Sequence, residues 1–334
     1  MKLKTNRIGR LATCAGLVLA SALLVSCGGG GSQTNSFTAK RVFAFGDETS
    51  VITADGRKYS INALKDDKVT IDCVSNPIWV QSVASLYGLV FPECNVNAVA
   101  APASHIYATN GARVADLAAQ IDLQAAAGGF ASDDMVTVLV GSNDIVAQFA
   151  RYPGVGVGQL ADELKLAGAA VAVQVERLVG LGAKVLISTA PDLGRAPFAG
   201  DRSAGSANLN PGVLTKLSTG FNDGLLAELA RRANDGHKVG LVQLDTYIQA
   251  VDNLRAAGGG GFVNTTLAAC LPAAPLPDCT TLTLGNDAAA IPPPAVISNA
   301  TATTWLWADA LHLSAGGQAG LSSLAVSRAQ NNPF

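Results

Sequence analysis

The sequence predicts an α/β domain whose parallel sheet is covered by helices on both faces. Two observations carry this. Short, continuous apolar runs such as MVTVLV (residues 135–140) and KVLIST (residues 184–189) read as strands buried on both sides. Longer segments with helical spacing separate them, and that alternation is the pattern of strand–helix–strand units.

In order, residues 41–45 form the first short apolar strand. Residues 77–87 (PIWVQSVASLY) read as a helix with proline at its start, and residues 114–126 have helical spacing. The strand at 135–140 follows. Residues 160–181 form a long amphipathic helix that stops at Gly182. The strand at 184–189 leads to a second long helix at 214–234, a strand at 239–244 and a closing helix at 314–330. Residues 258–261 and 292–294, all glycine and all proline respectively, are loop material. No repeat of 20–50 residues is found. Functional residues in such folds lie at the carboxyl ends of the strands.

Composition narrows the partners. The 334 residues are 49% hydrophobic and 14% charged, which supports a sizeable core. The first 26 residues hold Lys2, Lys4, Arg7 and Arg10 and no acid. The other 19 basic residues face 25 acidic ones, a net charge of −6. A mildly acidic body without a basic run argues against nucleic acid as a partner.

The N-terminus reads as a processing signal. A basic stretch precedes the apolar residues 11–25, too short for a comfortable membrane span. Leu24-Val25-Ser26-Cys27 then runs into four glycines, a pattern that resembles the bacterial lipobox. This predicts a signal peptide at 1–26, a lipidated Cys27 with a flexible tether over 27–40, and a folded domain at 41–330. The expected location is the cell envelope, lipid-anchored, with the outer membrane preferred because no acidic residue follows Cys27.

Cys14 leaves with the signal, and Cys27 takes the lipid. Cys73, Cys94, Cys270 and Cys279 remain and allow three pairings. The local pairing, Cys73–Cys94 and Cys270–Cys279, is expected because each bond would staple a loop rich in Pro or Asn. A metal site is disfavoured, since close Cys-x-x-Cys spacing is absent and histidine is scarce. No cofactor is expected.

Four polar clusters follow strands or open helices: Gly46-Asp47-Glu48, Gly111 in YATNGARV, Gly141-Ser142-Asn143-Asp144, and Asp309-Ala310-Leu311-His312. Taken singly, each is good turn or helix-cap sequence. Taken in order and spacing, they resemble the four signature blocks of the SGNH, or GDSL, hydrolase family. The intervening NPIWVQSVASLYGL, ISTAPDLGRAPFA, FNDGLLAELA and GFVNTTLAACL extend the resemblance over residues 41–325. It implies a three-layer α/β/α fold with a central parallel sheet, and a small ester, acyl or glycan ligand. It also implies roles. The backbone N–H at position 48, Gly111 and the Asn143 side chain would donate to an oxyanion. His312 would be the general base, oriented by Asp309.

The nucleophile departs from the pattern. The family places serine after Gly-Asp, and this chain places Glu48 there. Carboxylate attack on an ester would give a reactive mixed anhydride. It would also put negative charge where the oxyanion donors receive one, and pairing with His312 would raise that histidine's pKa. Three expectations follow: an impaired relative that keeps its pocket, an ester hydrolase that uses Glu48 or Ser50, or an envelope lipoprotein with a binding or structural role only.

Overall fold

The computed structural model describes residues 37–200, 210–232, 238–285 and 300–331. The expected signal peptide, Cys27 and tether residues up to 36 lie outside the described residues, as does the proline run at 292–294. Phe37, four residues before the expected domain start, is already packed. The Phe37 ring meets Tyr87 edge-on at 5.8 Å, Ala39 is buried, and the Lys40 N–H donates to the Asp133 carbonyl.

The strands, in chain order, are β1 (Arg41–Gly46), β2 (Ala63–Leu64), β3 (Ile71–Asp72), β4 (Ser104–Ile106), β5 (Asp134–Leu139), β6 (Lys184–Ser188), β7 (Val239–Val242), β8 (Asn264–Ala268) and β9 (Trp305–Trp307). The α-helices are α1 (Trp79–Leu86), α2 (Leu117–Ala127), α3 (Ser142–Phe149), α4 (Val157–Gly180), α5 (Pro211–Arg231), α6 (Leu244–Ala256) and α7 (Ala315–Asn331). Five strands form the central sheet in the order β4-β1-β5-β6-β7, with every pairing parallel. Helices α1 and α7 pack together, and α4 packs along α5 and touches α2. The apolar runs fill the layer between: Phe43, Phe45, Val136, Val138, Leu186 and Ile187 are buried. This is the expected α/β/α architecture. Among the described residues no helix is long and apolar enough to cross a membrane.

The departures have physical causes. Strand β5 begins one residue early, at Asp134, because the Arg41 guanidinium on the neighbouring strand grips that carboxylate at 2.7 and 2.6 Å. Strand β4 is only SHI, too short and polar to show as an apolar run; its pairing to β1 makes it a strand. Helix α1 starts at Trp79 because Ile78 is extended. Helix α3 hides behind its cap-like start, Gly-Ser-Asn-Asp. Helix α6 takes up the end of the strand expected at 239–244 and buries only Leu244 and Ile248.

Three neighbouring strands, β4, β1 and β5, end side by side at one edge of the sheet. The loops that leave them carry Gly111, Glu48 and Asn143. The fourth cluster arrives from far away in sequence. Trp307 and Leu313 bridge antiparallel, and the turn between them holds Asp309 and His312.

A five-residue strap, residues 58–62, seats that turn. The buried Lys58 Nζ donates to the carbonyls of Cys73, Ser75 and Asn76 at 3.1, 2.7 and 2.9 Å. The Asn62 amide donates to Pro277 and Cys279 carbonyls at 2.8 and 3.1 Å. Ser60 Oγ donates to the Leu313 carbonyl at 2.9 Å, next to His312. The strap thereby joins both disulfide loops, Cys73–Cys94 and Cys270–Cys279, to the histidine turn. Both bonds are the local pairs expected from the sequence. Replacing Lys58 by methionine keeps the apolar stem and strips the Ser75 and Asn76 carbonyls of their donor. Hydrogen bonds to a charged group contribute about 1.5–3 kcal/mol each, and relief of the buried Lys58 charge offsets part of their loss, so thermal unfolding should report a net loss on the order of 1 kcal/mol or more. An unchanged midpoint would show that the strap does not hold the loops.

Candidate active site

The site begins with a glycine. Gly46 closes β1 at φ +119°, and a Cβ there would lie 1.8 Å from the Leu139 carbonyl oxygen on β5. Only glycine lets the chain turn this close to its neighbour. Asp47 then caps a short 3-10 turn, Glu48–Ser50, its Oδ1 accepting the Thr49 N–H at 3.0 Å. The turn points Glu48 and Ser50 in different directions. Ser50 is fully buried, and its hydroxyl accepts the Trp79 indole N–H at 3.1 Å. That contact corrects the expectation that Ser50 could serve as nucleophile: its oxygen is spent in the core.

The Glu48 side chain lies among the other three clusters and is only 5% exposed. Its Oε2 accepts the Gly111 N–H at 2.8 Å and the Asn143 Nδ2 at 3.0 Å. Its Oε1 lies 3.0 Å from His312 Nε2. The field of its own backbone N–H also favours the ionised form. Gly111 reaches this position from the loop after β4 with φ +75°, a left-handed conformation that suits glycine. Asn143 stands in the first turn of α3, and its amide also donates to the Ala112 carbonyl at 3.1 Å. Asp144, beside it, accepts the Val114 N–H at 3.1 Å and ties the same loop to the helix.

Asp309 organises the fourth side. Its Oδ1 accepts the backbone N–H groups of Leu311 and His312 at 2.8 and 2.7 Å, and both its oxygens lie 2.9 Å from His312 Nδ1. The imidazole is thus held between two carboxylates, Asp309 at Nδ1 and Glu48 at Nε2. Ionised carboxylates only accept hydrogen bonds, so both ring nitrogens must donate, and His312 is an imidazolium. Burial opposes that charge, but the hydrogen bonds and charges of Asp309 and Glu48 outweigh it and raise His312 to about 10. Burial likewise opposes the Glu48 charge, and the His312 and N–H contacts still hold its pKa below the ordinary value. Asp309 is held low in the same way against its burial. Asp47 goes the other way: burial first, then the Glu48 charge, pushes it up to about 7.

The structure therefore brings together all five residues singled out in the sequence: Glu48, Gly111, Asn143, Asp309 and His312. Bond counting shows what the arrangement resembles chemically. In an ester of serine, the acyl carbon lies two bonds beyond Cβ. In glutamate, Cδ lies at the same remove. Glu48 Cδ thus sits where an acyl carbon would be. Oε2 takes the oxyanion position against Gly111 and Asn143, and Oε1 takes that of the oxygen that exchanges a proton with His312.

Residues that the motifs did not reveal also shape the site. The Tyr59 ring lies 6.2 Å from the His312 ring. Gln120 and Gln124 are buried on α2, behind the donor loop; two amides on an otherwise apolar helical stripe were the available signal. Among the described residues, no group of three or more His, Cys, Asp or Glu side chains is arranged to hold a metal ion.

No family model matches the chain, and no curated protein matches it. Solved structures do. A protein described as a GDSL-like lipase from Parabacteroides merdae is 13% identical and covers 88% of this chain and 97% of its own, with a TM-score of 0.46. An acetyl xylan esterase is 14% identical over 85% of this chain and 96% of its own, with a TM-score of 0.42. An extracellular lipase from Streptomyces rimosus is 15% identical over 88% of this chain and all of its own, with a TM-score of 0.43.

The charge arrangement makes a pH prediction. His312 is raised from 6.5 to about 10, so the stability it confers is complete below about 6.5 and is lost as pH rises through about 10. Asp47, raised from 3.8 to about 7, also lowers stability with rising pH, but over that lower range. Lys58 is lowered by burial from 10.5 to about 8 and acts in the opposite sense above that pH, so the His312 effect is read between pH 7 and 8. There the unfolding equilibrium should shift by up to about tenfold per pH unit, and His312→Gln should remove that slope. Equal slopes in denaturant titrations of the two proteins would refute the imidazolium assignment.

Proposed function

We propose that this chain is an SGNH-type ester-hydrolase domain held shut by its own glutamate, with native ester turnover weak or absent. One observation carries the reading. The Glu48 carboxylate occupies the Gly111 and Asn143 donors while its second oxygen accepts a hydrogen bond from His312 Nε2. An ester carbonyl needs those donors free, and a general base needs a lone pair at Nε2. Both are consumed.

A carboxylate mechanism is the weaker reading. As nucleophile, Glu48 would have to leave the Gly111 and Asn143 donors and an imidazolium before attack, and it would then form an anhydride. As a base, it is too acidic, since its pKa is held below the ordinary value. The ligand class we assign is a small ester, acyl or glycan group, on the strength of the donor set. The proposal extends to location: a lipoprotein anchored through Cys27 to the cell envelope, with the outer membrane preferred. The basic stretch and Leu24-Val25-Ser26-Cys27 support that part.

Glu48→Ser is the decisive variant. It removes the blocking charge and places a hydroxyl beside His312. An oriented base and an oxyanion hole contribute factors of about 10²–10³ each. Hydrolysis of short-chain nitrophenyl esters should therefore rise at least about 10²-fold above the native protein, and His312→Ala in that background should abolish it. A folded but silent Glu48→Ser variant would contradict the reading. Strong native turnover that is lost in Glu48→Gln would replace it with a carboxylate mechanism. For the anchor, mass spectrometry of membrane-extracted protein should show an acylated N-terminus at Cys27; cleavage elsewhere, or none, would refute it.

A further inference from the structure

Helix α2 presents Leu117, Gln120, Ile121 and Gln124 to the interior. A buried primary amide brings donors and acceptors that must be satisfied. Gln124 accepts the Tyr107 hydroxyl at 2.7 Å and donates to the Gly129 carbonyl at 2.6 Å. Gln120 does something different: it spends its amide on the backbone of one residue. Its Oε1 accepts the Gly46 N–H at 2.7 Å, and its Nε2 donates to the Gly46 carbonyl at 3.0 Å. The same Nε2 reaches Thr109 Oγ1 at 3.4 Å.

The topology explains why this clamp is needed. Strand β4 pairs with β1 only as far as Ala44↔Ile106. Gly46, two residues further on, has no strand partner on that side. Its carbonyl is met by the Thr109 N–H at 3.1 Å, and among the described residues its N–H meets only Gln120. Gln120 therefore stands in for the missing strand at the point where β1 turns toward Glu48. Position 48 lies two residues after Gly46, and Gly111 lies two residues after Thr109. One buried amide thus fixes the start of both segments that deliver the backbone N–H donors.

We propose that Gln120 is a positioning residue for the oxyanion site, setting the placement of the Glu48 N–H relative to the Gly111 N–H. The proposal rests on reading those N–H groups as the oxyanion donors. It gives the buried glutamine a purpose that core packing does not require, since leucine would fill the stripe without a polar group to satisfy. Donors of this kind act through preorganisation, and a misplacement of about 1 Å can cost about 10²-fold in rate.

The test uses two variants and two readouts. Gln120→Met keeps length and removes the amide. Gln120→Glu offers one donor and one acceptor while protonated and loses the donor when ionised. In the otherwise native chain, hydrogen exchange at the Glu48 and Gly111 amides should accelerate about tenfold or more in Gln120→Met, while amides of β5 and β6 keep their protection. Gln120→Glu should retain protection at those two amides at acid pH and lose it at alkaline pH. In the Glu48→Ser background, Gln120→Met should lower kcat about tenfold or more and leave KM within about twofold. Unchanged exchange at Glu48 and Gly111, or uniform acceleration across the sheet, would overturn the proposal and leave Gln120 a core residue. If Glu48→Ser is itself silent, the acyl-transfer reading fails, and the exchange measurement still decides the role of Gln120. If Gln120→Met does not fold, the pH dependence of Gln120→Glu decides it.

Discussion

The buried carboxylate of Glu48 is the contact on which the site depends. It gathers donors from the loop after β4, the first turn of α3 and the turn before α7. A buried acid is tolerated only where its lone pairs are satisfied and an opposite charge lies close. Every one of those demands is met by a group that the fold places at the ends of three adjacent strands or on the histidine turn. Hydrogen bonds to a charged group are worth about 1.5–3 kcal/mol each. These groups together hold a permanent negative charge at the centre of the site.

The carboxylate also decides what His312 can do. Beside a serine hydroxyl, an imidazole presents a lone pair at Nε2 and accepts a proton. Beside a carboxylate it must donate, and with Asp309 on the other nitrogen it becomes a cation between two anions. The pair of carboxylates outweighs burial. The neighbouring Asp47 bears the cost, since its own charge is disfavoured by burial and by Glu48. The residue at position 48 thus sets the protonation of the whole cluster.

Much of this was legible in the residues. MVTVLV and KVLIST announced buried strands, because strands covered on both faces carry no polar alternation. Glu48, Gly111, Asn143, Asp309 and His312 stood out through their order and spacing, and the paired cysteines through the loops that they close. Other features leave no such trace. SHI is a strand only because β1 lies beside it. Helix α6 buries two side chains, too few to show a stripe. The direction in which Ser50 points depends on the 3-10 turn and on Trp79, twenty-nine residues away. The reach of Glu48 into the donor set depends on which strands are neighbours, a property of topology rather than of local sequence. Gln120 was visible only as a polar interruption in a helical stripe, whose meaning needed the end of β4 beside it.

The most direct measurement of the central claim is the ¹⁵N spectrum of the His312 side chain in the native protein at pH 8. There an ordinary imidazole, with a pKa near 6.5, is neutral. The account predicts two protonated nitrogens with imidazolium shifts, each N–H slowed by a hydrogen bond to a carboxylate. A neutral imidazole with an unprotonated Nε2 would contradict it. That result would mean that Glu48 leaves His312 free to act as a base and does not close the site.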